Sequence, residues 1–146
     1  MNAQDQEAKE AKKQLVRRVY DEVWSKGNLD FVDELMTKDY VNIDPATPGT
    51  RVEGREAFKQ LVGAIRGAFQ EMKMTIDAQH VDGDVVVTEW TSHAVHRGEL
   101  MGIPPTGKAG STTGVTVSTF VGGKIAQDRA LWDLFGLMRR LGVIPS

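Results

Sequence analysis

The first part of the chain has the apolar periodicity of helices. Between residues 7 and 26 the large apolar side chains recur about four apart, which predicts one helical face ending at Gly27. They are Leu15, Val16, Val19, Tyr20, Val23 and Trp24. Asn28 is expected to cap a second helix over residues 28–35, and a third helical pattern covers residues 54–70. The polar residues 1–6 are expected to be flexible.

The second part has the alternation of strands. Asp82 and Gly83 lie between two β-branched runs, which is a strong hairpin signal, and Gly122-Gly123 predicts another tight turn. The predicted strands are residues 39–44 (short), 72–81, 85–97, 112–120 and 124–133, with a Gly- and Pro-rich loop at 98–110 and a last helix at 134–141. This order predicts a single α+β domain over residues 1–146, in which helices cover one face of a curved antiparallel sheet.

Composition excludes several classes of function. The 146 residues carry 18 basic and 20 acidic side chains without a basic stripe, so we expect no nucleic-acid partner. There is no cysteine, which excludes disulfides, thiolate zinc sites and cysteine nucleophiles. No apolar run approaches the roughly 20 residues of a membrane span, so we expect a soluble cytoplasmic protein that does not bind membranes.

Three motifs resemble one known family. They are DYVNIDP (residues 39–45), HRGELMGIPPTG (96–107), and GKI (123–125) followed by Trp132-Asp133. With the order of elements, they make the chain similar to the SnoaL-like polyketide cyclases, or ester cyclases, of the nuclear-transport-factor-2-like superfamily. The resemblance runs from residue 19 to residue 142. It implies a cone-shaped fold whose helices and curved sheet enclose a pocket, and a homodimer formed through the other face of the sheet.

The resemblance also indicates which strand faces look into the pocket. Because side chains alternate across a strand, one assignment of facing sets each row. The inward rows are Tyr40, Asn42 and Asp44; Val86, Thr88, Trp90, Ser92, Ala94 and His96; Thr116, Ser118 and Phe120; and Ala126, Asp128, Ala130 and Trp132. From these rows we expect Asp128, His96 and Asn42 to be catalytic, and Tyr40, Trp90, Thr116 and Trp132 to bind substrate.

The chain departs from the family at the acid/base position. As aligned, the cyclases carry their acid/base Asp at the position of Ala130 and its His partner at the position of Thr116. A carboxylate appears instead at Asp128, two residues earlier on the same face, and we take it as the relocated acid/base. Burial in an apolar pocket should raise its pKa, so that it exchanges a proton near neutral pH. The alternative is a structural role at the pocket mouth.

Tyr40 and Asn42 also match a Tyr-x-Asn pair that helps to hold the nucleophilic water in the related limonene epoxide hydrolases. The Arg and Asp of those enzymes align with Trp90 and Ser92, so the resemblance does not support epoxide hydrolysis by that triad.

His96 has two possible roles: to hydrogen-bond a substrate carbonyl or orient Asp128, or to fix the glycine-rich loop. His93 and His96 lie three apart in a strand and point to opposite faces, so we expect no metal site. The loop around residues 102–107 lacks the ending of a phosphate loop and is interpreted as a rigid lid.

The resemblance implies a cofactor-independent enzyme that cyclises or isomerises a small hydrophobic, carbonyl-bearing, polyketide-like metabolite. In this hypothesis Asp128 removes a proton from carbon, and Asn42, Tyr40 and His96 donate hydrogen bonds to the enolate oxygen. Two alternatives remain open. The chain could be a non-catalytic binding protein that kept the pocket, or a hydrolase of the epoxide hydrolase type on the same scaffold.

Overall fold

The computed structural model describes residues 2–47 and 49–145. Its helices are α1 (Ala3–Arg18), α2 (Phe31–Leu35), α3 (Arg55–Ala68) and α4 (Leu134–Arg140), and its strands are β1 (Met36–Ile43), β2 (Arg51–Glu53), β3 (Phe69–Asp82), β4 (Val85–His96), β5 (Ala109–Val121) and β6 (Lys124–Trp132). Of the residues 1–6 that were expected to be flexible, Met1 lies outside the described residues, and α1 already begins at Ala3.

The predicted first helix is present, but its last two turns are wider than an α-helix. After α1 the chain continues as a π-helical segment over Val19–Ser25, and Gly27 follows with a positive φ of 76°. A π-helical turn lets a helix shift the direction of its side chains, and such turns are frequent at functional sites. Here the segment presents Tyr20 and Trp24 to the cavity described below.

The predicted cap at Asn28 is wrong. Helix α2 begins later, at Phe31, with Asp30 at the capping position and no side-chain capping bond. The Asn28 amide instead donates to Glu22 Oε2 at 2.7 Å, and the Asn28 backbone N–H donates to Glu22 O. Asn28 thus closes the preceding helix rather than opening the next one.

The two predicted hairpins are confirmed. β3 and β4 pair antiparallel with the two-residue turn at Gly83 and Asp84, one residue later than predicted, and β5 and β6 pair around Gly122-Gly123. β4 and β5 are also antiparallel, so the four long strands form a continuous antiparallel block.

The first strands depart from the all-antiparallel prediction. The sheet order is β2-β1-β6-β5-β4-β3, and β1 runs parallel to β6, which makes the sheet mixed. The three-residue β2 was not predicted; it pairs antiparallel with β1 at the edge. In the described residues the edge strands β2 and β3 do not pair with each other, so the sheet is curved but unclosed.

The helices pack on the concave face of this sheet. One cluster of buried apolar residues joins the helical side, including Val16, Val23, Phe58 and Val62, to the sheet. A second, smaller cluster around Phe69 and α4 closes the other end. None of the helices in the described part of the chain is long and apolar enough to cross a membrane.

Candidate active site

A cavity of about 300 Å³ lies between the concave face of the sheet and the helical layer. Its wall is mainly apolar, and most of its polar groups lie on β1 and the turn that follows it, on β5 and on β6. The apolar part of the wall includes Val19, Trp24, Leu61, Ile65, Phe69, Met72, Met74, Trp90, Leu100, Met101, Trp132 and Leu137. An apolar cavity with a few converging polar groups is the usual form of a small-molecule site.

The parallel pairing of β1 with β6 builds the polar side of the cavity. In this register Asn42 lies opposite Asp128, and β5 brings Ser118 opposite Asp128 from the other side. Side chains alternate along a strand, so Tyr40 and Asn42 share the inner face. The predicted grouping of Tyr40, Asn42 and Asp128 is therefore present in the structure.

Asp128 is the centre of a buried hydrogen-bond network. The Tyr40 hydroxyl donates to Asp128 Oδ2 at 2.7 Å, and the Ser118 hydroxyl donates to Asp128 Oδ1 at 2.5 Å. Asn42 Nδ2 donates to Tyr40 Oη at 3.1 Å, which orients the phenol toward the carboxylate. Both carboxylate oxygens thus receive a hydroxyl hydrogen bond.

Burial dominates the electrostatics of this network. Asp128 is 6% exposed, and desolvation raises the pKa of its carboxyl above the ordinary value, against the hydrogen bonds from Ser118 and Tyr40, which favour the charged form. Burial, followed by the neighbouring Asp128 charge, raises the pKa of Tyr40. Tyr40 therefore stays protonated and donates, while Asp128 can hold a proton closer to neutral pH than an exposed Asp can.

Thr116 and Trp90 form a second polar contact on the cavity wall. Trp90 Nε1 donates to Thr116 Oγ1 at 2.9 Å, which leaves the indole ring against the cavity. Burial is the largest effect on the nearby Tyr20 hydroxyl and raises its pKa above the ordinary value. A hydrogen bond with Thr116 lowers this pKa, and the charge of Asp128 raises it further. Gly114 makes room for this arrangement, because a Cβ there would overlap the Trp90 ring.

Asp44 also lines this cavity; the sequence placed it on an inward row but did not identify it as a site residue. Trp132 Nε1 donates to both oxygens of Asp44, at 2.9 and 3.1 Å, and the Ala46 backbone N–H donates to Oδ1 at 2.9 Å. Asp44 is 8% exposed and lines the cavity beside Trp132. Ser118 was likewise placed on an inward row, but the sequence did not show that the pairing of β5 with β6 brings it opposite Asp128.

His96 does not join this group. Its ring is fully buried, Nδ1 contacts Thr106 Oγ1 at 3.1 Å, and Nδ1 accepts from the Thr106 backbone N–H at 3.3 Å. The ring also lies against Phe69, with centroids 5.4 Å apart, and His96 is not among the residues that line the cavity. These contacts match the second of the two possible roles of His96, which is to fix the loop between β4 and β5.

That loop covers part of the cavity. Leu100 and Ile103 pair as a small bridge, and Leu100 and Met101 line the cavity from the loop side. The loop base is anchored by Gly98, whose missing Cβ lets its backbone approach Gly67 O.

Three positions that align with catalytic residues of the related cyclases and epoxide hydrolases also lie in the cavity wall. Ala130, Trp90 and Ser92 all line it. The described residues contain no cluster of three His, Cys, Asp or Glu side chains that could hold a metal ion. Absence of a metal or cofactor from the reaction stays an expectation, as does the homodimer.

The wall can perform proton transfer. It offers a buried carboxyl whose raised pKa suits exchange of a proton, with hydroxyl groups that can donate to it or accept from it. The surrounding apolar surface can hold a hydrophobic ring system and exclude water from it.

Comparisons with known proteins agree with this fold. The chain is 36% identical over 118 residues to the nogalonic acid methyl ester cyclase of Streptomyces nogalater, covering 80% of this chain and 87% of that enzyme. A solved structure assigned to the SnoaL-like polyketide cyclases, from Jannaschia sp. CCS1, superimposes with a TM-score of 0.85 at 25% identity, covering 94% of this chain and 96% of that one.

A second solved structure, assigned as a polyketide cyclase from Acidithiobacillus ferrooxidans, gives a TM-score of 0.83 at 30% identity, with 91% of this chain and 95% of that chain covered. The family described as SnoaL-like polyketide cyclase matches residues 14–141, which is nearly the whole chain. On fold and sequence together, the chain belongs to the SnoaL-like polyketide cyclase family.

Proposed function

We propose that the protein closes a carbon ring in a hydrophobic polyketide ester by an intramolecular aldol reaction, without a cofactor. The observation that carries this proposal is Asp128, a buried carboxyl in the wall of an apolar cavity that is held by two hydroxyl donors and has a raised pKa. Such a group can exchange a proton with a substrate near neutral pH.

The reaction needs only proton transfer and a new bond within the substrate. A proton leaves a carbon acidified by adjacent carbonyl groups, the resulting enolate attacks a ketone, and the ketone oxygen takes up a proton. Asp128 is the proposed acid/base, and Asn42 and Tyr40 keep it oriented through the hydrogen bonds described above. No electron acceptor or donor takes part, so the proposal requires no cofactor.

The charge of the cavity supports an esterified substrate. None of the described side chains that line it is Lys, Arg or His, whereas Asp44, Asp128 and Glu99 are acidic. A free carboxylate on the substrate would face like charges without a compensating cation, and a methyl ester would not. The named relative from Streptomyces nogalater is a cyclase of such an ester.

The test is to replace Asp128 by Asn and to offer nogalonic acid methyl ester as the probe. We expect kcat to fall by about 10²- to 10⁴-fold, the usual contribution of a general acid or base, with the Kd of the probe retained. Asp39→Asn is the matched control, because Asp39 lies on the same strand β1 as Tyr40 and is exposed. Full activity in the Asp128 variant would contradict the role of Asp128 as the acid/base.

A binding protein is the second candidate, and one observation favours it. Both oxygens of Asp128 are already engaged by Tyr40 and Ser118, so the carboxyl could serve the fold alone. In that case the probe binds to the wild-type protein and is recovered unchanged, and substitutions at Trp90 or Trp132 weaken binding more than Asp128→Asn does. If instead the product carries oxygen from labelled water, the hydrolase alternative holds.

A further inference from the structure

A second carboxylate shares the cavity with Asp128. Asp44 and Asp128 both line the wall, and both are less than a tenth exposed. Asn42 lies opposite Asp128 in the parallel pair, and Asp44 is two residues further along the same strand direction. With a rise of about 3.3 Å per residue and about 4.8 Å between strands, the two backbone positions are roughly 8 Å apart. One bound ring system can reach both.

The two carboxylates have different kinds of partner. The partners of Asp128 are the hydroxyls of Tyr40 and Ser118, and a hydroxyl can either donate a hydrogen bond or accept one. Asp128 therefore keeps hydrogen-bonded partners both with and without its own proton. The desolvation that raises the pKa of Asp128 favours the protonated form.

The partners of Asp44 are N–H groups only. Trp132 Nε1 contacts both oxygens and the Ala46 backbone N–H contacts Oδ1, and neither group can accept a hydrogen bond. This donor set suits an ionised carboxylate. Asp128 and Asp44 therefore differ in the hydrogen bonds that their partners can make.

We propose that Asp44 is a second catalytic carboxylate, which takes the proton from the substrate carbon while Asp128 gives a proton to the ketone oxygen. This inference rests on the proposed ring closure and divides its proton transfers between two residues.

The step balances in atoms and electrons. The Asp44 carboxylate removes a proton from the carbon between two carbonyl groups, and the C–H electron pair becomes the enolate. The enolate carbon forms the new C–C bond to the ketone carbon, and the C=O π pair moves to oxygen, which takes the proton of Asp128. Asp44 then loses its proton to solvent and Asp128 regains one, which restores the enzyme without any other reactant.

The experiment separates proton removal from ring closure. The probe is nogalonic acid methyl ester in D₂O, and NMR follows exchange of the acidic C–H for deuterium in the Asp128→Asn protein, where we expect ring closure to be slowed by about 10²- to 10⁴-fold. We expect this variant to keep exchanging. Adding Asp44→Asn, which retains an oxygen acceptor for Trp132 and Ala46, should slow the exchange by about 10²-fold or more.

Trp132→Phe in the same background is the matched control for a structural role of Asp44, because it removes the indole donor and leaves the carboxylate in place. Because Trp132 lines the cavity, we expect the variant to bind the probe more weakly, while its exchange rate at saturating probe falls less than in Asp44→Asn. If Trp132→Phe loses as much exchange as Asp44→Asn, Asp44 acts only by holding the indole, and the inference fails.

A second variant guards against a folding defect in Asp44→Asn. Asp44→Ala opens space beside Trp132, and added formate should restore exchange there by supplying a carboxylate; no rescue overturns the inference. Exchange that persists at the parent rate in the Asp44→Asn double variant also overturns it, while a wild-type protein that still closes the ring keeps the proposed function. A wild-type protein that neither exchanges nor closes the ring contradicts both.

Discussion

The parallel pair β1–β6 and the antiparallel hairpin β3–β4 form two walls of the same cavity with different chemistry. The parallel pair and the turn after β1 supply the two carboxylates, Asp44 and Asp128, and the amide of Asn42. The hairpin supplies mainly apolar surface, such as Met74 and Trp90. Under the proposed function, the first wall would perform proton transfer and the second would hold the substrate.

The two walls also differ in how the chain builds them. β3 and β4 are adjacent in sequence and are joined by a two-residue turn, so the apolar wall forms from local pairing. The hydrogen bond between Tyr40 and Asp128 joins residues 88 positions apart. The polar wall, which is the side of the cavity formed by β1 and β6, therefore forms only when distant segments of the chain have come together.

Replacing Tyr40 by Phe should break the polar wall, with the largest effect of any change that leaves both carboxylates in place. The variant loses one donor to Asp128 and leaves Asn42 Nδ2 without its acceptor. A buried polar group left unsatisfied costs about 1–3 kcal/mol, so we expect kcat to fall by about 10- to 100-fold, with KM nearly unchanged. Steady-state kinetics measures both constants.

Tyr20→Phe is the matched comparison, because it removes the same atom from a buried tyrosine that makes no direct hydrogen bond to Asp128 in the described part of the chain. We expect a smaller loss of kcat. Equal losses in the two variants would show that the β1–β6 wall has no special part in the proton transfer.

Replacing Trp90 by Phe should affect the other wall and act on binding. The variant loses the indole N–H bond to Thr116 and some of the apolar surface toward the cavity. A neutral hydrogen bond contributes about 0.5–1.5 kcal/mol, so we expect KM to rise by roughly two- to tenfold with little change in kcat. A fall in kcat without a rise in KM would contradict the proposal that this wall binds the substrate and the other wall transfers protons.

The pH dependence of stability tests the burial of Asp128, with the smallest effect. In the unfolded chain Asp128 has its ordinary pKa of 3.8, and in the folded protein burial raises this pKa. Between the two values the folded state holds more protons, so the free energy of unfolding contributed by Asp128 falls as pH rises through the window. The destabilisation caused by the buried charge of Asp128 is absent below pH 3.8 and complete above the pKa that Asp128 has in the folded protein.

Denaturant unfolding of the wild type and Asp128→Asn as a function of pH measures this contribution. The difference in stability, wild type minus variant, should decline with pH inside the window and stay constant below it. Ser118→Ala removes a donor that lowers the pKa of Asp128, and it should extend the window to higher pH. A difference that rises with pH would show that Asp128 is stabilised as the charged form.

Local patterns were sufficient to predict most elements of the fold. The helical periodicity around Val16 and Val23, and the turn signals at Gly83 and Gly122, are properties of a few neighbouring residues. Strand β2 was missed because three residues carry too little alternation to be recognised. The cap at Asn28 was wrong because the Asn28 side chain is bound to the nearby carboxylate of Glu22, whereas the local capping rule expects it to bind the first turn of the next helix.

The candidate site was predictable as rows of residues but not as contacts. Strand alternation placed Asp44, Ser118 and Asp128 on inward rows; in the structure Asp44 and Asp128 line the cavity, and Ser118 is buried and donates to Asp128. It could not show that Ser118 and Tyr40 share Asp128, or that Trp132 holds Asp44, since those contacts depend on the register between strands. The loop contacts of His96 depend on the conformation of the loop and could not be chosen from its strand position.

The amino-acid sequence by itself determined the helices, the two hairpins, the family and the faces on which polar side chains lie, because these follow from local periodicity and motifs. Only the tertiary structure decided that β1 joins β6 in parallel and that two carboxylates with different partners line one cavity. The physical reason is that strand pairing between distant segments depends on the packing of the whole domain. The protonation behaviour of Asp128 then follows from its burial and its partners rather than from its identity as an aspartate.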